Sequence, residues 1–370
     1  MARLQSLSLH HFRNIEQAEL AFAPGLNVLI GDNAAGKTSV IEALWLLASG
    51  RSFRSHKPQQ LIAFEQPQLV LFCEVAQHNQ TFKLGLARDA QGVSLKLNGE
   101  KQPSQAEFAR HLPIQLLTPE SHRLLEEGPK ARRQFLDWGC FYHHPNFMPA
   151  WRYYQRALKQ RNQALKSQLS TDQVNLWNAP LVEAGERISQ LRADYLTALT
   201  PYLVDFCQQL MPELQREPEL KFYTGWPANA PNYASVLEDH LARDRQLGHT
   251  QYGAHRADIK IKVNHQEPLI GLSRGQQKLF VCALLLAQAH YLQAQTDDSV
   301  IMLIDDLPAE LDLVHRTSLL QLLQNLGIQH LITSTARELI PGHENAQVFE
   351  IHKGTITGQR PSRSITSTGV

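Results

Sequence analysis

The spacing of apolar and polar positions changes several times along the chain. Leu4 to Leu9 and Ala18 to Phe22 read as short strands, and Leu26 to Ile30 is a compact apolar strand. Ser39 to Ser49 switches to helical spacing: Val40, Ile41, Leu44, Leu47 and Ala48 recur at that period, and Gly50 is placed to stop the helix. Leu69 to Val75, Thr81 to Leu86 and Val93 to Leu97 predict a meander that ends at the Asn98-Gly99 turn. Near Thr118 the character changes. Glu120 to about Met211 is mainly helical with no clear strand, and Pro218, Pro227 and Pro231 mark an irregular stretch after it. Strand character returns at Ile259 to Val263. Ser273 to Tyr291 is apolar nearly all round, which predicts a buried helix. A buried strand at Val300 to Ile304, a helix from Asp312, and strands at His330 to Thr333 and Gln347 to Ile351 complete the pattern. The Ser-, Thr-, Arg- and Pro-rich tail from Gly358 is expected to fray, and no internal repeat is present.

The 370 residues, 43% hydrophobic and 19% charged, suffice for a large core and two lobes. A formal net charge of +1 provides no global basic field, so nucleic-acid affinity requires a local patch. Cys73, Cys140, Cys207 and Cys282 are scattered without a C-x-x-C pair, the pattern of reduced, buried thiols in a cytosolic protein. No signal-peptide run is found at the start. The longest apolar run, Leu279 to Ala287, is too short for a membrane span, so secretion and membrane insertion are not expected.

Two motifs carry the chemistry. Gly31-Asp32-Asn33-Ala34-Ala35-Gly36-Lys37-Thr38 fits G-x-x-x-x-G-K-[ST] and sits between a strand and a helix, the context a phosphate loop needs. In it, Gly31 is expected to supply an unusual backbone angle and Gly36 a close approach to phosphate. The amides at the helix start point at the anion, Lys37 reaches the β- and γ-phosphates, and the Thr38 hydroxyl binds Mg²⁺. The strand Ile301 to Ile304 ends in Asp305-Asp306. Asp305 is the candidate metal-side carboxylate and Asp306 the candidate water-orienting group; the alternative is a polar strand end that caps a turn. The second motif, Leu272-Ser273-Arg274-Gly275-Gln276-Gln277-Lys278, resembles the signature loop of ABC-type ATPases, which contacts a nucleotide held by a partner subunit. In trans, Ser273, Arg274, Gly275 and Gln276 are the candidate contacts, with an ordinary helix cap at Ser273 as the plainer alternative. Glu310-Leu311-Asp312 resembles the D-loop of such heads. Ser334-Thr335 stands where many ABC proteins carry a switch histidine.

These features predict an α/β fold: an ABC-type P-loop ATPase head whose halves, 1–118 and 250–370, fold together around an inserted helical lobe at 119–249.

Longer stretches resemble the RecF family. They are His11-Phe12-Arg13-Asn14 with Gly50-Arg51-Ser52-Phe53-Arg54; Thr118-Pro119-Glu120 with Gly128-Pro129 and Arg132-Arg133-Gln134-Phe135-Leu136-Asp137; Gly253-Ala254-His255-Arg256-Ala257-Asp258; and the acidic segment through Asp312. Ala34 departs from the family's usual glycine, Ser121-His122 from Asp-Leu, and Glu127 from glycine. The spacer is far too short for the coiled coil of SMC-type relatives, and no sustained heptads occur in it. The resemblance implies ATP and Mg²⁺ as cofactors and adds Arg13 to the nucleotide contacts. It also implies an ATP-dependent homodimer that acts on double-stranded and gapped DNA, with RecR and RecO as partners and no membrane. Its task would be to help load RecA onto single strands covered by single-strand-binding protein, with a weak ATPase as the switch.

DNA contacts are sought where cations cluster. Ser121 to Ser170 holds nine Lys/Arg against three acids, interleaved with Trp138, Phe141, Tyr142, Trp151, Tyr153 and Tyr154. Arg152, Arg156 and Lys159 share one helical face, Arg132 and Arg133 precede them, and Arg51 with Arg54 forms a second patch. A solvated helix face is the plainer reading of any one of these. His143-His144 lacks the further ligands a metal needs. An ABC ATPase powering a transporter is the alternative function, although its heads have a much shorter gap between the two motifs than the about 230 residues here. A scaffold that binds ATP without using it is a third possibility.

Overall fold

The computed structural model describes residues 2–296 and 298–359. The strands, in chain order, are β1 (Arg3–Phe12), β2 (Ile15–Ala21), β3 (Leu26–Ile30), β4 (Gln68–Gln77), β5 (Gln80–Asp89), β6 (Val93–Leu97), β7 (Glu100–Lys101) and β8 (Ile114–Leu117). They continue with β9 (Glu219–Tyr223), β10 (Asp258–Lys262), β11 (Ile301–Ile304), β12 (Gln329–Ser334), β13 (Gln347–His352) and β14 (Thr355–Gln359). Two compact units result. One holds the residues up to Ser121 with those from Leu292 onward; the other runs from His122 to Tyr291.

The first unit has two six-stranded sheets. An antiparallel sheet runs in the order β2-β1-β4-β5-β6-β7, and a second runs β14-β13-β3-β12-β11-β8, parallel except for β14. A parallel strand buried on both faces must be apolar throughout, and all four residues of β11 are buried. The helix Lys37–Ser49 buries Val40, Ile41, Leu44 and Leu47 in one core cluster with Leu7 and Leu9 of β1 and Leu331 of β12. Gly50 ends it in the left-handed conformation at φ 73°, as the stop signal predicts. Asn98 (φ 51°) and Gly99 (φ 87°) turn β6 into β7. Gln329 is buried and holds β12 to β1: its side chain accepts from Leu4 N and donates to Leu4 O, both within 2.9 Å.

The second unit is built on the helices Pro129–His143, Phe147–Lys166 and Asn178–Leu210. Gly139 lets two of them approach closely, since a Cβ there would stand 2.0 Å from the Tyr195 ring. Two ion pairs are buried in this unit: Arg161 with Asp244 at 2.6 Å and Arg192 with Asp137 at 2.8 Å.

The elements differ from the sequence pattern in several places. β8 and β14 carry no strand prediction, because each is short and its apolar run merges with a neighbouring turn. The stretch expected to be irregular contains β9, which pairs antiparallel with β10. The second boundary between the units falls at Tyr291/Leu292, whereas the sequence pattern places it at 250, so the signature-like loop belongs to the helical unit. Gly358 and Gln359 lie in β14, and the rest of the tail expected to fray lies outside the described residues.

Candidate functional site

In an open α/β sheet, ligands bind beyond the carboxyl ends of the strands. Here β12 lies between β3 and β11, with Thr333 opposite Leu29 and Ile304 opposite Ile332. The phosphate loop leaves β3, Asp305-Asp306 leaves β11, and Thr333-Ser334 ends β12, so all three segments meet at one edge.

The loop is held open by backbone geometry. Gly36 sits at φ 122° and starts the helix without a side-chain cap or an acidic residue in the first turn. Ser39 N and Val40 N bond back to Gly36 O, and no side chain caps the amides ahead of them at the helix start, which suits an anion there. Gly31 is required for space, not for its angle: it is not in the left-handed region, but a Cβ there would lie 2.2 Å from Ile351 O of β13. Ala34 adopts φ 65°, a conformation that costs an L-residue roughly 1–2 kcal/mol and that glycine adopts freely. Asn14 braces the loop, donating to Ala35 O at 3.2 Å and accepting from Ser39 Oγ at 3.0 Å.

Lys37 Nζ donates to Gly31 O at 2.7 Å and to Asp32 O at 2.9 Å. Burial lowers its pKa, while Asp306, Asp305 and Asp32 oppose that shift. Asp305 is buried. Its Oδ1 accepts from Thr38 Oγ1 at 3.0 Å and from Thr333 Oγ1 at 2.8 Å. Burial raises its pKa, and the two threonine hydrogen bonds pull it back down. Asp306 is exposed at φ 54°, with its amide bound to Thr333 Oγ1 at 2.7 Å. A non-glycine residue held in that region at the mouth of a site is stored strain of the kind found where chemistry is done.

Arg13 lines the same cavity of about 430 Å³ together with Asn14, Lys37, Thr38, Arg54 and Gln60. Behind it stands Glu42, fully buried on the phosphate-loop helix. Glu42 takes a two-point pair from Arg13 at 2.9 and 2.6 Å, accepts from Ser52 Oγ, and has Arg54 Nη1 at 3.7 Å.

In the helical unit, the signature-like loop exposes Ser273, Arg274 and Gly275 at the start of the helix Arg274–Gln295. Ser273 and Gln276 form a reciprocal cap: Ser273 N donates to Gln276 Oε1 at 3.0 Å and Gln276 N to Ser273 Oγ at 3.3 Å. Gln276 also donates to Glu213 at 3.0 Å, and Arg274 is paired with Glu126.

The family model for the RecF/RecN/SMC N terminal domain matches residues 3–357. A curated relative from Hydrogenovibrio crunogenus, named DNA replication and repair protein RecF, is 58% identical over 97% of this chain and 100% of its own. The chain belongs to the RecF family. A RecF-family relative of the same name from Shewanella loihica is 40% identical over 96% of this chain and 99% of its own. A solved RecF structure, described as the recombination mediator protein with ATP in the RecFOR pathway, superposes with TM-score 0.87 at 26% identity, covering 97% of this chain and 98% of its own. The architecture is thus an ABC-type ATPase head with an inserted, mainly helical unit, as the sequence predicts.

Within this RecF-family chain the basic candidates divide sharply. Arg132 forms a two-point pair with Asp258 at 2.8 and 3.0 Å and is 15% exposed; Arg133 donates to Ala257 O at 2.8 Å. Both tie the helix Pro129–His143 to the start of β10, and both are only partly exposed. Arg54 lines the cavity beside the phosphate loop, and both Arg51 and Arg54 are exposed. Arg152, Arg156 and Lys159 lie exposed on one face of Phe147–Lys166, with Tyr153 beside them and Tyr154 turned into the core. His143 stacks on Tyr291 at 4.1 Å, and burial lowers its pKa to about 4. Glu42 and Thr333 carry no sequence signal of their own beyond proximity to a motif, and Asn14 enters only as part of the His11-Phe12-Arg13-Asn14 stretch.

Proposed function

We propose that this chain is an ATP-gated DNA-binding protein of replication and recombinational repair. It acts near single-strand gaps as an ATP-dependent dimer and, with RecR and RecO, promotes RecA loading on single strands covered by single-strand-binding protein. The observation that carries the reading is the junction of β3, β12 and β11, where an uncapped helix start, Lys37 and Thr38 line one cavity and Asp305 is hydrogen-bonded to Thr38. The relatives' names and the ATP in the solved RecF structure support it.

The residues fit a magnesium nucleotide. The loop amides and Lys37 hold the phosphates, and Arg13 adds a cation anchored by Glu42. Thr38 and Asp305 would hold Mg²⁺, which would neutralise phosphate charge when bound. Asp306 orients the attacking water. Its side chain is one methylene shorter than the glutamate usual in ABC-type heads, which suits slow, switch-like hydrolysis. The exposed Ser273 and Arg274 are available to a nucleotide on a second subunit. A ligand held between two copies stabilises the closed dimer by its differential affinity for that state. The exposed face of Arg152, Arg156 and Lys159 is the proposed duplex contact, and the four buried free thiols accord with a cytoplasmic setting. A transporter role is not favoured by the curated relatives, which are named for DNA replication and repair.

The deciding experiment is equilibrium binding to a gapped duplex with ATP and with ADP at two salt concentrations. Tighter, salt-sensitive binding in ATP is expected. Equal affinity in both nucleotides refutes the gate, and no binding in either refutes the DNA reading.

A further inference from the structure

The helical unit contains a second cavity, of about 630 Å³, that the nucleotide site does not use. Two loop segments build it, one following β9 and one ahead of β10. Gly253, at φ 142°, donates its N–H to Gly225 O at 3.0 Å. Gly225, at φ 94°, admits no side chain, since a Cβ there would stand 2.2 Å from Gly253 O. The walls are fixed from behind. Tyr233 Oη donates to Tyr252 O at 2.8 Å, and Tyr154 Oη meets His255 Nδ1 at 2.7 Å. The Trp226 ring lies on that of Tyr233 with centroids 4.5 Å apart and planes 12° from parallel. The cavity is therefore rigid before a ligand enters, which lowers the ordering cost of binding.

Its lining is aromatic and cationic. Tyr223, Trp226 and Tyr252 offer partly exposed rings, and Arg243 and Arg256 are exposed beside them. Lys221 and Lys260, opposite one another on β9 and β10, place their ammonium groups 5.6 and 4.9 Å from the Tyr223 ring. Other arginines of the unit have carboxylate partners: Arg132 has Asp258 and Arg161 has Asp244. Among the described residues no carboxylate pairs with Arg256, although it lies in the Gly253–Asp258 motif. Flat rings interleaved with unmatched cations suit a ligand that alternates aromatic faces with negative charge. A duplex keeps its base faces stacked inside and would leave the rings unused. An acidic peptide would engage the cations alone.

We infer that this cavity receives an unpaired base of a single DNA strand, stacked against Trp226, with Arg256 and Arg243 on the flanking phosphates. The inference rests on the DNA-binding reading above and places recognition of the single strand on the helical unit.

The full-length protein with ATP is titrated against a blunt duplex, the same duplex with a single-stranded tail bearing 2-aminopurine, and an oligoglutamate peptide as competitor. The native protein is expected to bind the tailed probe more tightly and to quench the aminopurine. Trp226→Ala weakens the tailed probe roughly fivefold or more, the loss of one base stack, and leaves the blunt duplex unchanged. Because Trp226 also covers Tyr233, Arg256→Gln serves as the second variant. It changes an exposed side chain and lowers the salt slope on the tailed probe by roughly 0.7. Native-like binding of the tailed probe by both variants overturns the inference. So does displacement of the tail by oligoglutamate without any prior aminopurine quenching, which would assign the cavity to an acidic peptide. Failure of the native protein to bind even the blunt duplex refutes the DNA reading itself.

Discussion

Glu42 is the group on which the cation side of the nucleotide cavity depends. It is fully buried, and it holds Arg13 by two hydrogen bonds, with Ser52 and Arg54 at the same carboxylate. Glu42→Gln keeps the shape and one accepting oxygen but removes the charge. Arg13, 17% exposed, then keeps its own charge where little water reaches it. Removing one partner of a buried pair costs about 3–5 kcal/mol, and the residual exposure of Arg13 puts this case at the lower end, about 3 kcal/mol. For a unit of roughly 200 residues each kcal/mol moves the midpoint about 2–4 °C, so a fall of about 6–12 °C is expected. Circular-dichroism melts of Glu42→Gln, Arg13→Gln and the double variant form the assay, repeated with ATP. The double variant should melt above the sum of the two losses, because the second substitution removes a charge already left unpaired. The stabilisation contributed by ATP should fall in all three, since Arg13 and Arg54 line the cavity. If the two losses add within about 0.5 kcal/mol, the pair is not a unit and the reasoning fails.

Lys37→Ala is expected to abolish nucleotide binding in calorimetric titration, and retained ATP affinity would refute the site. Ser273→Arg should leave ATP binding to the monomer intact while blocking ATP-dependent dimerisation in sedimentation velocity. Loss of both together would make Ser273 only the helix cap that its bonds with Gln276 already describe. His255 and His143 are held neutral by burial, each with its pKa lowered to about 4 from an ordinary 6.5. Their unfolded forms bind more protons between those values, so stability is present above pH 6.5 and declines as pH falls towards 4. The melting midpoint should drop from pH 6.5 to 5, before most carboxylates titrate, and His255→Gln should flatten that slope; an unchanged slope would show that His255 is not buried neutral.

Much of the site was legible because its chemistry is local. The strand Leu26–Ile30, eight consecutive loop residues and a helix on one apolar face are contiguous, so their order alone defines a phosphate cradle. The Asp305-Asp306 strand end and the Ser273–Gln276 start are equally short and read the same way. The reason for Gly31 was not local. Its constraint comes from Ile351, 320 residues further on, and no spacing rule reports a carbonyl that approaches from another strand. Glu42 reads as the one polar residue in the apolar stretch from Val40 to Ala48, and Thr333 as one threonine in a strand. Each gains its role from a partner that only sheet order brings near.

The basic residues show the limit most clearly. Arg132-Arg133 and Arg152, Arg156, Lys159 look alike in sequence, as cations on helical segments. Asp258 and Ala257 lie 126 and 124 residues further along the chain from Arg132 and Arg133, and they draw the first pair inward. Among the described residues no such partner turns Arg156 or Lys159 in. Local order determined the family, the phosphate loop, the acidic strand end and most elements, because each depends on neighbours in the chain. Tertiary structure decided which cations face outward, where the helical unit ends, and what anchors Arg13, because charge neutralisation, strand pairing and burial are settled between residues far apart in sequence.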